Sequence, residues 1–327
     1  MDYILLIFGF FLLVKGADIF VDGSSNIAKT LKIPSLIIGL TIVAFGTSAP
    51  EAAVSITASI NGQNGMAIGN VIGSNIFNLL MVVGASGVIK SLIIDKSVLS
   101  RQLPFTLIAS ILLVIFSADM IIKKSTINTL TRIDGIILLF LFVLYLYSLI
   151  NSALKSRNKT IYNSNTSIDS DVIVTEENYS ISKSIILSVF GLSSIILGGN
   201  FVVDSASNIA STFGVSDQLI GLTIVAIGTS LPEFVTSIIA ATKGESDLAL
   251  GNVIGSNLFN ILFVLGASAL ISPMTMDPKL LFDGLFMIFA TFITFVFAYR
   301  KNDINKFESI LLIILYAIYI GILIINA

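Results

Sequence analysis

The sequence predicts an all-α integral membrane protein, with ten transmembrane helices arranged as two inverted five-helix repeats. Three observations lead there. The 327-residue chain is 55% hydrophobic and only 12% charged, against about 25% charged residues in soluble proteins. Long apolar segments follow one another along it, giving a mean hydropathy of +0.98. A pair of polar motifs also occurs twice, at a fixed separation.

A spanning helix needs roughly 20 mostly apolar residues. That criterion predicts spans at 3–21, 36–60, 67–89, 103–122, 133–150, 184–203, 219–242, 248–271, 280–298 and 307–325. The first opens with Asp2 in place of a basic segment and lacks a small-residue cleavage site, so it reads as a retained helix and not a signal peptide. The one long polar stretch, 151–183, is rich in Asn and Ser and of mixed charge. It is expected to be a flexible linker between a first repeat, 1–150, and a second, 184–327.

The duplication is explicit. GLTIVAFGTSAPE at 39–51 recurs as GLTIVAIGTSLPE at 221–233, and GNVIGSNIFN at 69–78 recurs as GNVIGSNLFN at 251–260. Glu51 and Glu233 stand 182 residues apart, as do Asn78 and Asn260. Five helices per half is an odd number, so the second half must enter the membrane with opposite polarity. Inverted repeats of this kind place a binding site at their interface, near mid-membrane.

Basic residues set the orientation. With the N-terminus outside, thirteen Lys and Arg fall on inside loops, while Lys123, Lys124, Arg132 and Lys279 fall outside. Both termini are therefore expected outside a cell membrane that the chain crosses repeatedly, with the 151–183 linker in the cytoplasm. Lys15, inside the first span, is read as snorkelling to the surface or pairing with Asp18. Asp22 and Asp204, which also match at the repeat distance, are read as solvating helix ends.

The residue inventory excludes several chemistries. There is no Cys and no His, hence no disulfide, no thiolate metal site and no imidazole proton carrier. A net charge of −2 without a basic patch gives no reason to expect nucleic acid. Ser/His and Cys/His catalytic pairs cannot form, so an enzyme is not expected. Whatever ion chemistry occurs must use oxygen atoms.

Glu51 and Glu233 sit inside apolar segments. An unpaired charge at that depth costs at least about 2.5–3.5 kcal/mol, and no Lys or Arg lies in the same or adjoining motif helices. A bound cation or protons must compensate them. Thr47, Ser48, Thr229 and Ser230 add hydroxyls and carbonyls beside the glutamates. Pro50 and Pro232 cannot donate to the carbonyls of Gly46 and Gly228, so each helix should open there and expose backbone oxygens. In the second motif, Ser74 and Asn78 are four apart on one helical face, as are Ser256 and Asn260, and all four are read as neutral oxygen ligands. Asn70, Asn75, Asn252 and Asn257 are read as hydrogen bonds between helices, and the pairs Gly69/Gly73 and Gly251/Gly255 as close-packing surfaces.

These motifs together resemble the sodium/calcium exchanger (calcium/cation antiporter) family, prokaryotic type, over nearly the whole chain. The resemblance implies a Na⁺/Ca²⁺ antiporter that needs no cofactor and no partner protein, with both ions as substrates. It implies that Glu51 and Glu233 bind Ca²⁺ with backbone oxygens of Thr47 and Thr229. Flanking Na⁺ sites would use Ser48, Ser74, Ser230 and Ser256 with the carbonyls of Ala44 and Ala226, and Asn78 would sit centrally. Prokaryotic relatives often carry an acid where this chain has Asn260, which leaves two carboxylates, a charge matching one Ca²⁺. Two alternatives stay open: a Ca²⁺/H⁺ antiporter using the same glutamates, and a cation channel.

Overall fold

The computed structural model describes residues 1–117, 128–166, 180–214 and 226–326. In chain order the helices are α1 (Asp2–Leu31), α2 (Ser35–Thr47), α3 (Ala49–Ile60), α4 (Asn64–Ile89), α5 (Val98–Phe116) and α6 (Arg132–Thr166). After them come α7 (Ile181–Thr212), α8 (Ala226–Thr229), α9 (Leu231–Lys243), α10 (Ser246–Ile271), α11 (Pro278–Lys301) and α12 (Lys306–Asn326). Among the described residues, eight helices are long and apolar enough to cross a membrane, and α2 with α3 makes a ninth span bent by 50°. The predicted span 219–242 begins in residues outside those described; α8 and α9 are its described part.

Burial orders these helices. The apolar segments of α4 and α10 are 72% and 78% buried, against 22% for α12, so the two helices carrying the second motif form the centre. Around them α1, α6, α7, α11 and α12 turn large apolar side chains outward, among them Ile7, Phe11, Phe140, Val189 and Phe292. Such a surface suits lipid and not water. Two short antiparallel ribbons tie loops of the two halves together: β1 (Leu92–Ile93) with β4 (Asp303–Ile304), and β2 (Asn128–Leu130) with β3 (Met274–Met276).

Helix ends depart from prediction where polar residues find packing. The first helix runs to Leu31 and not 21, because Ser24, Ser25, Ile27 and Ala28 are buried in the packed face of α1. The fifth continues to Thr166, so the described first part of the expected linker is helical. Leu149, Ser152 and Ser156, at helical spacing on α6, line a cleft of about 210 Å³ with Leu36, Asp95 and Arg101. The remainder of that linker, 167–179, lies outside the described residues.

Glycine sets the closest approaches. A Cβ on Gly198 of α7 would lie 2.7 Å from the Gly9 carbonyl oxygen of α1, and one on Gly191 would lie 2.7 Å from that of Gly16. The α1 and α7 backbones therefore touch directly. Gly251 and Gly255 meet the expectation of close packing, since a Cβ on either would lie 2.7 Å from carbonyl oxygens of α2, at Leu36 and Leu40. Gly69 and Gly73 do not meet it among the described residues: a Cβ at Gly69 reaches only Leu280, at 3.6 Å, and one at Gly73 reaches nothing within 4 Å.

Candidate functional site

The site begins as a break in a helix. Ser48, with φ −82° and ψ 6°, separates α2 from α3, and Pro50 follows within the first turn of α3. Ser230, with φ −91° and ψ 5°, separates α8 from α9 above Pro232 in the same way. The proline that cannot continue the old helix is well placed in the first turn of a new one. Glu51 and Glu233 consequently sit in the first turns of α3 and α9, where the positive end of the helix dipole favours a carboxylate. Both are fully buried.

Each carboxylate is held from the opposite half. Ser48 Oγ donates to Glu233 Oε1 at 2.7 Å, and Ser230 Oγ donates to Glu51 Oε1 at 2.9 Å. Ser256 Oγ stands 3.3 Å from both Glu233 Oε1 and the Ala44 carbonyl, while Ser74 Oγ stands 3.1 Å from Ser230 Oγ. Thr47 donates to Asn252 Oδ1 at 2.9 Å, and Thr229 to Asn70 Oδ1 at 3.4 Å. Asn70 in turn donates to Ser55 and the Glu51 carbonyl, as Asn252 does to Ser237 and the Glu233 carbonyl. These threonine, asparagine and serine-to-glutamate bonds recur between the halves with both partners displaced by 182 residues.

What is left over is a set of oxygens. Glu51 Oε2, Glu233 Oε2, Asn78 Oδ1 and Asn260 Oδ1 are all buried without a hydrogen-bond partner among the described residues. The α9 helix of Glu233 packs on the turn that begins at Asn78, and the α3 helix of Glu51 packs on the turn containing Asn260. Those turns, Asn78–Val82 and Phe259–Val264, are π-helical, a local widening that recurs at functional sites. No basic side chain pairs with either glutamate among the described residues; Lys243 pairs with Asp18 and Asp22, and Arg300 with Glu308, away from both. Buried acceptors without donors are costly, and two carboxylates with two amide oxygens form a donor set suited to a hard cation.

Of the residues predicted for the site, the hydrogen bonds join Glu51, Glu233, Thr47, Ser48, Ser74, Ser230, Ser256 and Ala44, and Asn78 and Asn260 contribute free oxygens. Thr229 is joined through Asn70. Ala226 opens α8, and the Ser230 amide donates to Ile227 where the Ser48 amide donates to Ala44. The expected helix-to-helix bonding of Asn70, Asn75, Asn252 and Asn257 is present. Ser55 and Ser237, which the motif reading passed over, are the far anchors of Asn70 and Asn252; their common distance of 182 residues was the available signal. Lys15 does not hold Asp18, whose partner is Lys243 at 2.7 Å.

Known proteins resemble this chain over nearly its whole length. The sodium/calcium exchanger protein family profile matches residues 1–151 and 183–325. The putative antiporter CaxA of Alkalimonas amylolytica is 38% identical over 97% of this chain and 96% of its own length. The sodium/calcium exchanger MaX1 of Methanosarcina acetivorans is 33% identical over 98% of each chain. A solved structure of the sodium-calcium exchanger NCX_Mj superposes with a TM-score of 0.81 at 32% identity, over 98% of both chains. The chain is a helical membrane antiporter and belongs to the sodium/calcium exchanger protein family.

Proposed function

We propose that this antiporter exchanges Ca²⁺ for Na⁺ by alternating access at one site between two inverted five-helix halves. The observation that carries the reading is the set of four buried oxygens on Glu51, Glu233, Asn78 and Asn260 that have no partner among the described residues. Two carboxylates without a basic partner hold a charge of −2, which one Ca²⁺ balances. Carbonyl oxygens of Thr47 and Thr229 complete the Ca²⁺ shell. Ser48, Ser74, Ser230 and Ser256, with the carbonyls of Ala44 and Ala226, hold Na⁺ to either side. The recurrence of the site's bonds at a constant 182-residue displacement supports two equivalent halves. Both termini lie outside and the 151–183 linker inside, on the distribution of basic residues.

A second reading, Ca²⁺/H⁺ antiport, draws on Asn260. An amide there supplies no third negative charge to hold several Na⁺ ions together, whereas two glutamates can carry two protons. Uptake of radiolabelled Ca²⁺ into proteoliposomes, with Na⁺, K⁺ and H⁺ gradients imposed in turn, separates the two. Uptake driven by the Na⁺ gradient alone supports the first reading, and uptake driven only by a pH gradient replaces it with the second. Ca²⁺ current that rises with voltage and needs no counter-ion defeats both in favour of a channel.

A further inference from the structure

Four buried asparagines at the meeting of α4 and α10 bond one another, and Asn75 Nδ2 also reaches Met287 Sδ of α11 at 3.7 Å. Asn75 Nδ2 donates to the Asn257 backbone carbonyl at 3.3 Å, and Asn257 Nδ2 donates to the Asn75 carbonyl, also at 3.3 Å. A backbone carbonyl only accepts, so these two bonds fix both amides with nitrogen toward the opposite backbone. Their oxygens then face the other way and can only accept. Asn257 Oδ1 receives Asn78 Nδ2 at 3.2 Å, and Asn75 Oδ1 receives Asn260 Nδ2 at 3.3 Å. Asn78 and Asn260 must therefore keep their nitrogens on this clamp, and their oxygens are left without partners among the described residues. All four side chains are fully buried, so a lost partner is not replaced by bulk solvent.

The direction of each amide decides what the site offers. An Asn side chain is nearly symmetric in shape, but one end attracts a cation and the other, an NH₂ group, repels it. Turning Asn78 over would set its oxygen against Asn257 Oδ1 and aim two N–H groups at the glutamates' cargo. The clamp forbids this, and it does so across the duplication, since each half orients the other half's amide.

We propose that Asn75 and Asn257 are positioning residues that hold the amide oxygens of Asn78 and Asn260 toward the transported cation. The proposal rests on the cation site described under Proposed function, and it adds two residues that do not themselves contact the ion. It follows that the effect of removing Asn257 on cation binding passes through Asn78, and that of removing Asn75 through Asn260, while their bonds to backbone and to Met287 bear on folding.

A double-mutant cycle tests this. Equilibrium ⁴⁵Ca²⁺ binding is measured on the purified full chain for wild type, Asn78→Leu, Asn257→Leu and the double variant, with the unfolding midpoint in cation-free buffer as a control. Each single change is expected to weaken binding by roughly tenfold, the scale of one lost contact to a charged group. The double variant is expected to bind no worse than Asn78→Leu alone. Effects on binding that multiply in the double variant overturn the proposal, because a merely structural Asn257 would act independently of Asn78. The Asn75→Leu and Asn260→Leu cycle repeats the test if an Asn257 variant does not fold. Failure of both clamp variants to fold makes the pair a folding element and overturns the assignment. Wild-type protein that binds Ca²⁺ but moves it under no gradient overturns the antiport reading and leaves the cycle legible. An additive cycle in protein that does transport has the opposite meaning, and wild type that binds no Ca²⁺ overturns both.

Discussion

Ser48 Oγ donates to Glu233 Oε1 at 2.7 Å, so the break in the first half's helix holds the carboxylate of the second half. The reciprocal bond, Ser230 to Glu51, is 2.9 Å. Hydrogen bonds to charged groups contribute about 1.5–3 kcal/mol, enough to set which way a buried carboxylate turns its free oxygen.

The two serines should not be equivalent. Glu233 Oε1 keeps Ser256 Oγ, at 3.3 Å, when Ser48 is lost. Ser230 is the hydroxyl between Glu51 and Ser74, so its loss removes a partner from each. Ser48→Ala is expected to raise the half-saturating Ca²⁺ concentration by roughly tenfold, and Ser230→Ala by more. Concentration series of ⁴⁵Ca²⁺ uptake read this order, and Thr at either position should recover much of the loss.

Replacing either glutamate should move transport and stability in opposite directions. Glu51→Gln and Glu233→Gln keep the shape and remove one of the two buried charges that lack a basic partner among the described residues. Calcium uptake is expected to fall to background. The cation-free protein is expected to become more heat-stable at a pH where protons do not already compensate the glutamates, because removing an uncompensated charge at depth relieves a cost of at least about 2.5 kcal/mol. Uptake assays and unfolding scans with and without Ca²⁺ check both halves of this statement. A variant as stable as wild type without cation would show that the charges are already compensated.

Much of this site was legible in the sequence, for physical reasons. Pro50 and Pro232 force breaks whatever surrounds them, and a glutamate repeated inside an apolar segment has few purposes. The pairing across halves was legible only as far as the duplication itself. That Ser48 meets Glu233 and not Glu51 depends on how the halves dock. The π-helical turn at Asn78–Val82 carries no residue signature, since NLLMV suits an α-helix equally well. Nor does composition reveal that α6 continues to Thr166, past Ser152 and Ser156, which line the cleft with Leu36 and Asp95. The glycines at 9, 16, 191 and 198 were visible but unremarkable until α1 and α7 lay side by side.

Lys243 ties the end of α9 to α1 through Asp18 at 2.7 Å and Asp22 at 2.6 Å. Burial alone would lower the Lys243 pKa, but hydrogen bonds to both aspartates outweigh it and hold the ammonium above the ordinary 10.5. A raised lysine stabilises below its unfolded value and loses that contribution only as pH climbs through the folded one. The pair should therefore add no pH dependence between about pH 6 and 9. The side chains are 26%, 42% and 58% exposed, so solvent screens the pairs. Lys243→Met is expected to cost no more than about 1 kcal/mol, read as a small fall in unfolding midpoint that high salt removes.

The contact between α1 and α7 yields a sharper test. A Cβ on Gly191 would lie 2.6 Å from the Phe20 amide nitrogen and 2.7 Å from the Gly16 carbonyl oxygen. Both are backbone atoms, which cannot swing aside as a side chain can. Gly191→Ala must therefore separate the helices and give up packing along their length. A methyl group forced into a tight interior costs typically about 1–3 kcal/mol, well above the gain of up to about 1 kcal/mol that alanine brings to a helix. Gly321 of α12 provides the control, because a Cβ there meets nothing within 4 Å. Gly321→Ala is expected to leave the unfolding midpoint unchanged or slightly raised, while Gly191→Ala lowers it. Equal shifts for the two would mean that helix propensity, and not backbone contact, governs these glycines.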